Sequence, residues 1–453
     1  MRFPVSYLIA LIIFVSANSV FAQEKSDERP NILMIISDDQ AWNDYSFMNH
    51  QMIETPSLDR LAKQSILFRR GYVPTALCRP SLMTIITGRY AHQHGVTGND
   101  PSLKYAPRGS ELQSKRRQEL IGYVQRFDTL PRTLAKSGYR CLQTGKWWEG
   151  NFKEGGFTDG MTRGFPQQGG RHGDDGLKIG REGLEPIMSF MNECVTSKKP
   201  FFVWYAPFLP HTPHRPPKRL FDKYAAMDLP KTVAKYYAMC EWFDETCGEL
   251  LDELDRLEIA DNTIVVYACD NGWIQNPDAN GYAPRSKQTA YEGGIRTPIM
   301  FRWPDRLKPA DRSELCSTID LMPTLLAAVG EDIPKDLPGL NLLPQLESGN
   351  PVEREFILGE GFAHDIADLK KPEASLLYRW CIHGKWKLLL TYDGEVNRYQ
   401  STHPRDVKGP QLFDLEADPF EGNNVAAKNP DIVKKLKSKI ENWYPLTERK
   451  LIE

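Results

Sequence analysis

Four polar clusters in this 453-residue chain each follow a short apolar run, and their side chains belong to complementary chemical classes. Asp38-Asp39 follows Asn31 to Ser37, Gly145-Lys146 follows Tyr139 to Thr144, His211 comes a few residues after Phe201 to Ala206, and Asp270-Asn271-Gly272 follows Ile264 to Cys269. Asp38, Asp39, Asp270 and Asn271 are hard oxygen donors, suited to calcium or magnesium and poor for zinc. Lys146, Lys287 and His211 supply cations or hydrogen-bond donors for an anionic substrate. A metal together with a helix N-terminus stabilises negative charge developing on transferred oxygens, as phosphoryl or sulfuryl transfer requires. A cap or turn explains any one cluster taken alone, Asp270-Asn271-Gly272 above all. Four such clusters at the ends of apolar runs point instead to one site.

Cys78 is the candidate nucleophile. Pro80 suits the first helical turn, where its missing N–H costs nothing, and Leu82 to Ile86 continue the helix. Unpaired backbone N–H groups and the positive end of the helix dipole would then gather around the Cys78 side chain, favouring an anion and an activated nucleophile there. A buried structural cysteine is the competing reading for any isolated thiol.

The elements that position these groups follow from the apolar patterning. The runs at 31–37, 139–144, 201–206 and 264–269 are nearly continuous, as in strands covered on both faces. Helical periodicity lies between them: Pro56 onward with Leu58, Leu61, Ile66 and Leu67 on one spacing, then Leu130 to Ser137, Glu182 to Val195 and Val233 to Leu257. Strands alternating with helices predict an α/β fold, a large, mostly parallel or mixed sheet sandwiched by helices, in which ligands bind beyond the carboxyl ends of the strands. Near Gly339 to Pro351 the alternation gives way to a Pro-, Gly- and Asn-rich link. Strand-like runs at 356–358, 376–382 and 385–392, the last two joined at His383-Gly384, precede a helix over about 431–443. The expected organisation is a catalytic domain over 30–345 and a smaller C-terminal antiparallel sheet-and-helix domain over 352–453.

Composition restricts the partners. Lys and Arg total 57 against 59 Asp and Glu, a net charge of -2, so no global field draws the chain onto nucleic acid or acidic membrane. Met1-Arg2, the apolar run Val5 to Val15 and Val20-Phe21-Ala22 read as a secretory signal over 1–22, with a periplasmic or secreted product and no stable membrane insertion. The eight cysteines show no CxxC and no zinc or disulfide framework, and their spacing gives no pairing.

The ordered motifs resemble a known family. Cys78-Arg79-Pro80-Ser81 followed by Thr87-Gly88-Arg89 is similar to the signature of the formylglycine-dependent sulfatases of the alkaline phosphatase superfamily. Pro30-Asn31-Ile32 leading to Asp38-Asp39, Gly145-Lys146-Trp147, Pro210-His211-Thr212-Pro213-His214, Asp270-Asn271-Gly272, and Lys287 ahead of Tyr291-Glu292-Gly293-Gly294-Ile295-Arg296-Thr297-Pro298 resemble the family's other motifs in order. Gln411 to Pro419 extends the likeness nearly to the end of the chain.

The resemblance implies a sulfuric ester hydrolase with Cys78, Lys146, His211 and Lys287 as catalytic residues. Asp38, Asp39, Asp270, Asn271 and the modified Cys78 would hold calcium. A formylglycine-generating maturation enzyme would oxidise Cys78, and the hydrated aldehyde would displace the alcohol of the ester and then expel sulfate. Lys146 and Lys287 would hold sulfate oxygens while His211 attends the leaving oxygen. The substrate would be a sulfated small molecule or glycan, with Trp148, Arg171, His172 and His214 as candidates for its recognition, and the tryptophans at 147 and 148 able to stack on a sugar or simply to pack. The basic run Lys115-Arg116-Arg117 reads as a solvated helix face, with contact to a polyanionic substrate as the alternative.

Two positions depart from the family pattern: Leu82 stands where arginine is usual, and Trp148 where histidine is common. Arg70 and Arg89 are the nearest arginines in sequence besides Arg79. The alternatives are a phosphodiesterase or phosphonate monoester hydrolase of the same superfamily, and a non-catalytic sulfated-glycan binder in which Cys78 stays a thiol.

Overall fold

The computed structural model describes residues 29–396, 398–403 and 407–452, so the expected signal segment over 1–22 lies outside the described residues. Its centre is the apolar strand Asn31–Ser37, buried at all seven positions and flanked by two parallel neighbours, Phe201–Ala206 and Thr263–Cys269. Side chains of a strand alternate between faces, and here both faces are apolar. Ile32, Met34 and Ile36 enter one cluster with Trp204 and Val266, while Leu33 and Ile35 enter another with Val203 and Tyr267.

Eight strands form the sheet, in the order Asp159–Gly160, Arg140–Gly145, Phe201–Ala206, Asn31–Ser37, Thr263–Cys269, Arg296–Arg302, Ile66–Tyr72 and Ala310–Ser317. Only Arg296–Arg302 runs against the others. The helices Pro56–Lys63, Glu185–Thr196 and Lys231–Arg256 bury Leu58, Ile187, Phe243 and Leu250 against one face. Cys78–Thr87, Leu130–Lys136 and Leu321–Ala328 cover the other.

Ile66 and Leu67 do not extend the preceding helix, which ends at Lys63; they open a strand. Helical spacing of a few apolar residues is a weak constraint here, and the run Ile66-Leu67-Phe68 is better served by the sheet, with Ile66 and Phe68 on one face and Leu67 on the other. The strands Arg296–Arg302 and Ala310–Ser317 escaped the sequence reading. The second is an edge whose first half is polar and partly exposed.

A second sheet, Ile357–Phe362, Leu376–His383, Trp386–Thr391 and Gln411–Asp414, is wholly antiparallel. His383 pairs with Trp386, so the hairpin turns at Gly384-Lys385 rather than at His383-Gly384. One face, with Trp380, Ile382 and Leu389, packs on Tyr72, Tyr291 and Ile295 of the larger body. The other is covered by Leu436 and Ile440 of the helix Pro430–Trp443. Within the link, Leu343–Ser348 forms a short helix.

A buried ionic cluster crosses between the two sheets. Lys387 is 0% exposed, and its Nζ lies 3.1 Å from Glu292 Oε1 and 2.7 Å from Glu421 Oε1. Tyr72 donates to Glu292 Oε2 at 3.1 Å, and the Glu292 N–H donates to Glu421 Oε2 at 2.6 Å. Removing one member of such a cluster strands the others in a low dielectric, at about 3–5 kcal/mol, whereas an exposed pair contributes under about 1 kcal/mol. Lys387→Met should therefore lower unfolding stability in urea by about 3–5 kcal/mol. Lys385→Ala, which breaks the half-exposed pair with Asp414, should change it by less than about 1 kcal/mol; equal effects would remove the buried cluster as a tie between the sheets.

Candidate active site

The strand ends converge because the strands are neighbours in register. Ser37 pairs with Cys269, so Asp38-Asp39 and Asp270-Asn271 leave the sheet side by side. The Asp270 N–H donates to Ser37 O at 3.0 Å, the Asp38 N–H to Leu209 O at 2.9 Å, and the Asp39 N–H to Asp270 Oδ1 at 3.2 Å. Asp39 takes φ +64°, a left-handed conformation that costs a non-glycine residue roughly 1 kcal/mol or more and that its partners must hold in place. Gly145 is required where it stands: at φ +76° a Cβ there would lie 1.8 Å from Ala206 O, and the close approach lets the Lys146 N–H donate to that carbonyl at 2.7 Å.

Cys78 is the first residue of the helix Cys78–Thr87, whose ten residues are all buried, with Leu77 as its N-cap. The free N–H groups expected around the cysteine are fewer than the sequence suggested. The Arg79 N–H donates to Asn99 Oδ1 at 3.1 Å, and Pro80 has none to give. Side chains supply the positive charge instead. Lys287 Nζ stands 3.1 Å from Cys78 Sγ and 2.5 Å from Asp39 Oδ1, while Lys146 Nζ lies 2.8 Å and 2.7 Å from the two oxygens of Asp38. His211 Nε2 is 3.2 Å from Asp39 Oδ2.

Burial and charge compete at each group. Burial pushes the Cys78 thiol up to about 12 although Lys146 and Lys287 pull the other way, so at neutral pH the side chain is a thiol and a weak nucleophile. Burial also raises Asp38 and Asp270 above the usual carboxylate range, with neighbouring carboxylates adding to it. Burial opposes the lysine charges, but Asp38 beside Lys146 and Asp39 beside Lys287 hold both above the ordinary range. Burial, then the two lysines, keep His211 well below its usual value and neutral.

The oxygens left over describe a cation site. Asp270 Oδ2 and Asn271 Oδ1 are buried without a hydrogen-bond partner, a state that costs about 1–3 kcal/mol per group. Ligand atoms of Asp38, Asp39, Cys78 and His211 all lie within 4.8 Å of one another. Carboxylate and amide oxygens dominate, so the residues present fit a hard divalent cation.

Above these groups opens a cavity of about 660 Å³, lined by Cys78, Lys146, His211 and Lys287 and by Trp148, Arg171 and His172. The Arg171 guanidinium lies 4.5 Å from the Trp148 ring centroid and the His172 ring 5.1 Å from it, so protein groups already flank that indole. Trp147 is buried against Phe157 in the core. His214 contacts the Tyr236 and Trp273 rings, and its buried Nε2 has no hydrogen-bond partner.

Leu82 is buried in the apolar cluster beneath the sheet. Arg70 donates to Gly384 O and Arg89 to Asp336, both at partly buried positions, and neither lines the cavity. The buried arginine beside Cys78 is Arg79. Its Nε and Nη2 donate to Glu149 at 2.7 Å and 2.6 Å, tying the helix start to the Lys146 loop.

Sequence reasoning missed Asp100, Arg398 and His364 as lining residues and favoured a solvated face for Arg117, with substrate contact as its alternative. Lys115 is indeed exposed and pairs with Glu111, but Arg117 turns inward to Asp100 Oδ1 at 2.6 Å. A basic run on a helix necessarily points in several directions. Arg398 sits in irregular chain with no periodic signal.

Comparison with known proteins places this arrangement among relatives. The family model described as Sulfatase matches residues 30–331, and one described as N-sulphoglucosamine sulphohydrolase, C-terminal, matches 285–444. The human N-acetylgalactosamine-6-sulfatase is 29% identical, covering 86% of this chain and 80% of its own length. The N-acetylgalactosamine-6-O-sulfatase of Bacteroides thetaiotaomicron is 25% identical over 92% of this chain and 94% of its own. The crystal structure of the PsFucS1 sulfatase from Pseudoalteromonas sp. superposes with a TM-score of 0.69 at 19% identity, covering 93% and 92% of the two chains, which bears on the fold alone.

The cation site makes a prediction independent of turnover. Calcium at about one hundred times its dissociation constant should stabilise the chelator-stripped protein by about 2.7 kcal/mol, read as a rise in the thermal midpoint. Asp270→Ala should abolish that rise. A rise of full size in the variant would take Asp270 out of the cation site.

Proposed function

The chain belongs to the sulfatase family and is a sulfuric ester hydrolase, and from that premise we propose that it desulfates a carbohydrate through a formylglycine derived from Cys78, with calcium at the carboxylate cluster. The observation that carries the reading is the place of Cys78, buried at a helix start where Lys146 and Lys287 converge on it above three carboxylates. As a thiol the residue is a poor nucleophile, so the surrounding charges have little use unless it is converted. The names of the relatives, sulfatases of an amino sugar, support a sulfated glycan as the substrate class.

Asp38, Asp39, Asp270 and Asn271 would hold the calcium, which supplies positive charge next to the nucleophile and the sulfate oxygens. A formylglycine at position 78 would supply, as its hydrate, an oxygen nucleophile and a second hydroxyl for release of sulfate. The chain's own residues do the rest. Lys146 and Lys287, kept protonated by their aspartates, bind the sulfate oxygens and neutralise charge that grows in the transition state. His211, neutral and facing the cavity, orients the departing sugar oxygen. Burial of Cys78, Lys146 and Lys287 keeps bulk water from the sulfur. We further propose a periplasmic or secreted location, supported by the apolar segment over 1–22.

The test is mass spectrometry of the Cys78 peptide from protein made in its native host, combined with sulfate release from sulfated saccharides. Loss of sulfur with gain of an aldehyde, and sulfate release abolished in Cys78→Ala, are the expected results. An intact, alkylatable thiol in protein that still releases sulfate would exclude the formylglycine route. Ligand binding with no release at saturating calcium would favour a glycan binder.

A further inference from the structure

Beyond the groups assigned to the transferred sulfate, the rim of the same cavity carries more positive charge than one sulfate requires. Arg108, Arg117, Arg171 and Arg398 all line it, and among the described residues two carboxylates pair with them, Asp100 and Asp365. These two carboxylates are register partners in a short parallel pair, Asp100–Pro101 with Asp365–Ile366. Each anchors arginines from a distant segment. Asp100 Oδ1 accepts from Arg117 Nη2 at 2.6 Å, and Oδ2 accepts from Arg171 Nε at 2.7 Å and from its Nη2. Asp365 Oδ2 accepts from Arg398 Nε at 2.6 Å. Burial works against the Asp100 charge, but Arg171 and Arg117 outweigh it and hold the carboxyl below its usual range.

The anchoring leaves donors over. The Nη1 of Arg171 has no part in the contact with Asp100, and Arg117 Nε is buried with no hydrogen-bond partner. Guanidinium groups fixed through one edge present the rest of the fork without further loss of side-chain freedom, and the fork matches the paired oxygens of a carboxylate or sulfate. A sugar bearing only hydroxyls would leave this charge unmatched inside a walled cavity, which costs desolvation energy that a second anion offsets.

We propose that Arg171, Arg117 and Arg398 form a second anion site, so that the preferred substrate carries a carboxylate or a further sulfate beside the ester that is cleaved. This deepens the glycan reading above and rests on it. The second charge sits on the same or the adjoining sugar, because rim and nucleophile share one cavity. Asp100 and Asp365 are positioning residues for the arginines.

The experiment compares, with the full chain matured in its native host, three saccharides that share one scissile sulfate: a neutral monosulfated sugar, the same sugar with a second sulfate, and the same sugar linked to a uronate. The wild type should favour one or both dianionic substrates by about tenfold or more in kcat/KM, and the favoured arm tells sulfate from carboxylate. Arg171→Gln should collapse that ratio towards one, and Arg171→Lys should retain part of it. Equal kcat/KM for all three substrates in the wild type overturns the inference while leaving sulfate ester hydrolysis intact. So does a ratio unchanged in Arg171→Gln and in Arg398→Gln, since general electrostatic attraction would affect every sulfated substrate alike. Should no sulfate be released, the hydrolytic reading fails on its own. Calorimetric binding of the same three saccharides then still decides the second site, through a tenfold difference in affinity or its absence.

Discussion

Three carboxylates buried within reach of one another govern this molecule. Asp38, Asp39 and Asp270 lie at the ends of two adjacent parallel strands, where neither water nor distance relieves their repulsion. Such a cluster survives only if cations meet it. The fold brings Lys146 from a third strand and Lys287 from the segment ahead of the antiparallel strand, and each closes on a separate aspartate. The glycine at 145 and the left-handed backbone at Asp39 are local consequences, since both place charged groups closer than ordinary chain geometry allows.

Cys78 joins this balance from the opposite face of the sheet. Its helix is buried along its whole length, and the buried Arg79–Glu149 pair locks the helix start to the loop that carries Lys146. Nucleophile position and lysine position are thereby coupled. The ionic cluster around Lys387 extends the coupling to the small sheet, because Glu292 opens the short helix whose Gly294 carbonyl accepts from the Gly272 N–H. The small sheet thus supports the loop after Asp270, and the irregular chain between its strands Trp386–Thr391 and Gln411–Asp414 contributes Arg398 to the cavity rim.

The central strands, the long helix at 231–256 and the four polar clusters were legible because each rests on local pattern: continuous apolar runs for doubly covered strands, and polar residues at their ends. The strand Ile66–Tyr72 was misassigned, since its first apolar residues also satisfied the preceding helix's period. Arg296–Arg302 was hidden because its opening residues had been read only as part of a motif. Arg117 and Arg398 were out of reach for a different reason: their roles depend on Asp100 and Asp365 meeting across 265 residues of sequence, and no local pattern encodes a pairing of that kind.

Charge accounting at the site also bears on the substrate charge it would match, and on the leucine at position 82. With Asp38, Asp39 and Asp270 all ionised, as a bound cation would favour, three carboxylates against two lysines would leave the cluster with one excess negative charge, His211 being neutral and Arg79 being matched by Glu149. One divalent cation held among those oxygens would reverse the excess to a single positive charge. A sulfate ester, a monoanion, would then bring the filled site to neutrality, whereas a phosphate monoester dianion would overshoot it in a low dielectric, where an unmatched charge is costly. An arginine at position 82, if it faced this site, would add a further positive charge; the leucine there is buried among apolar side chains and leaves the balance undisturbed. The excess positive charge of the cavity therefore resides on the rim, where it acts on the remainder of the substrate rather than on the group being transferred.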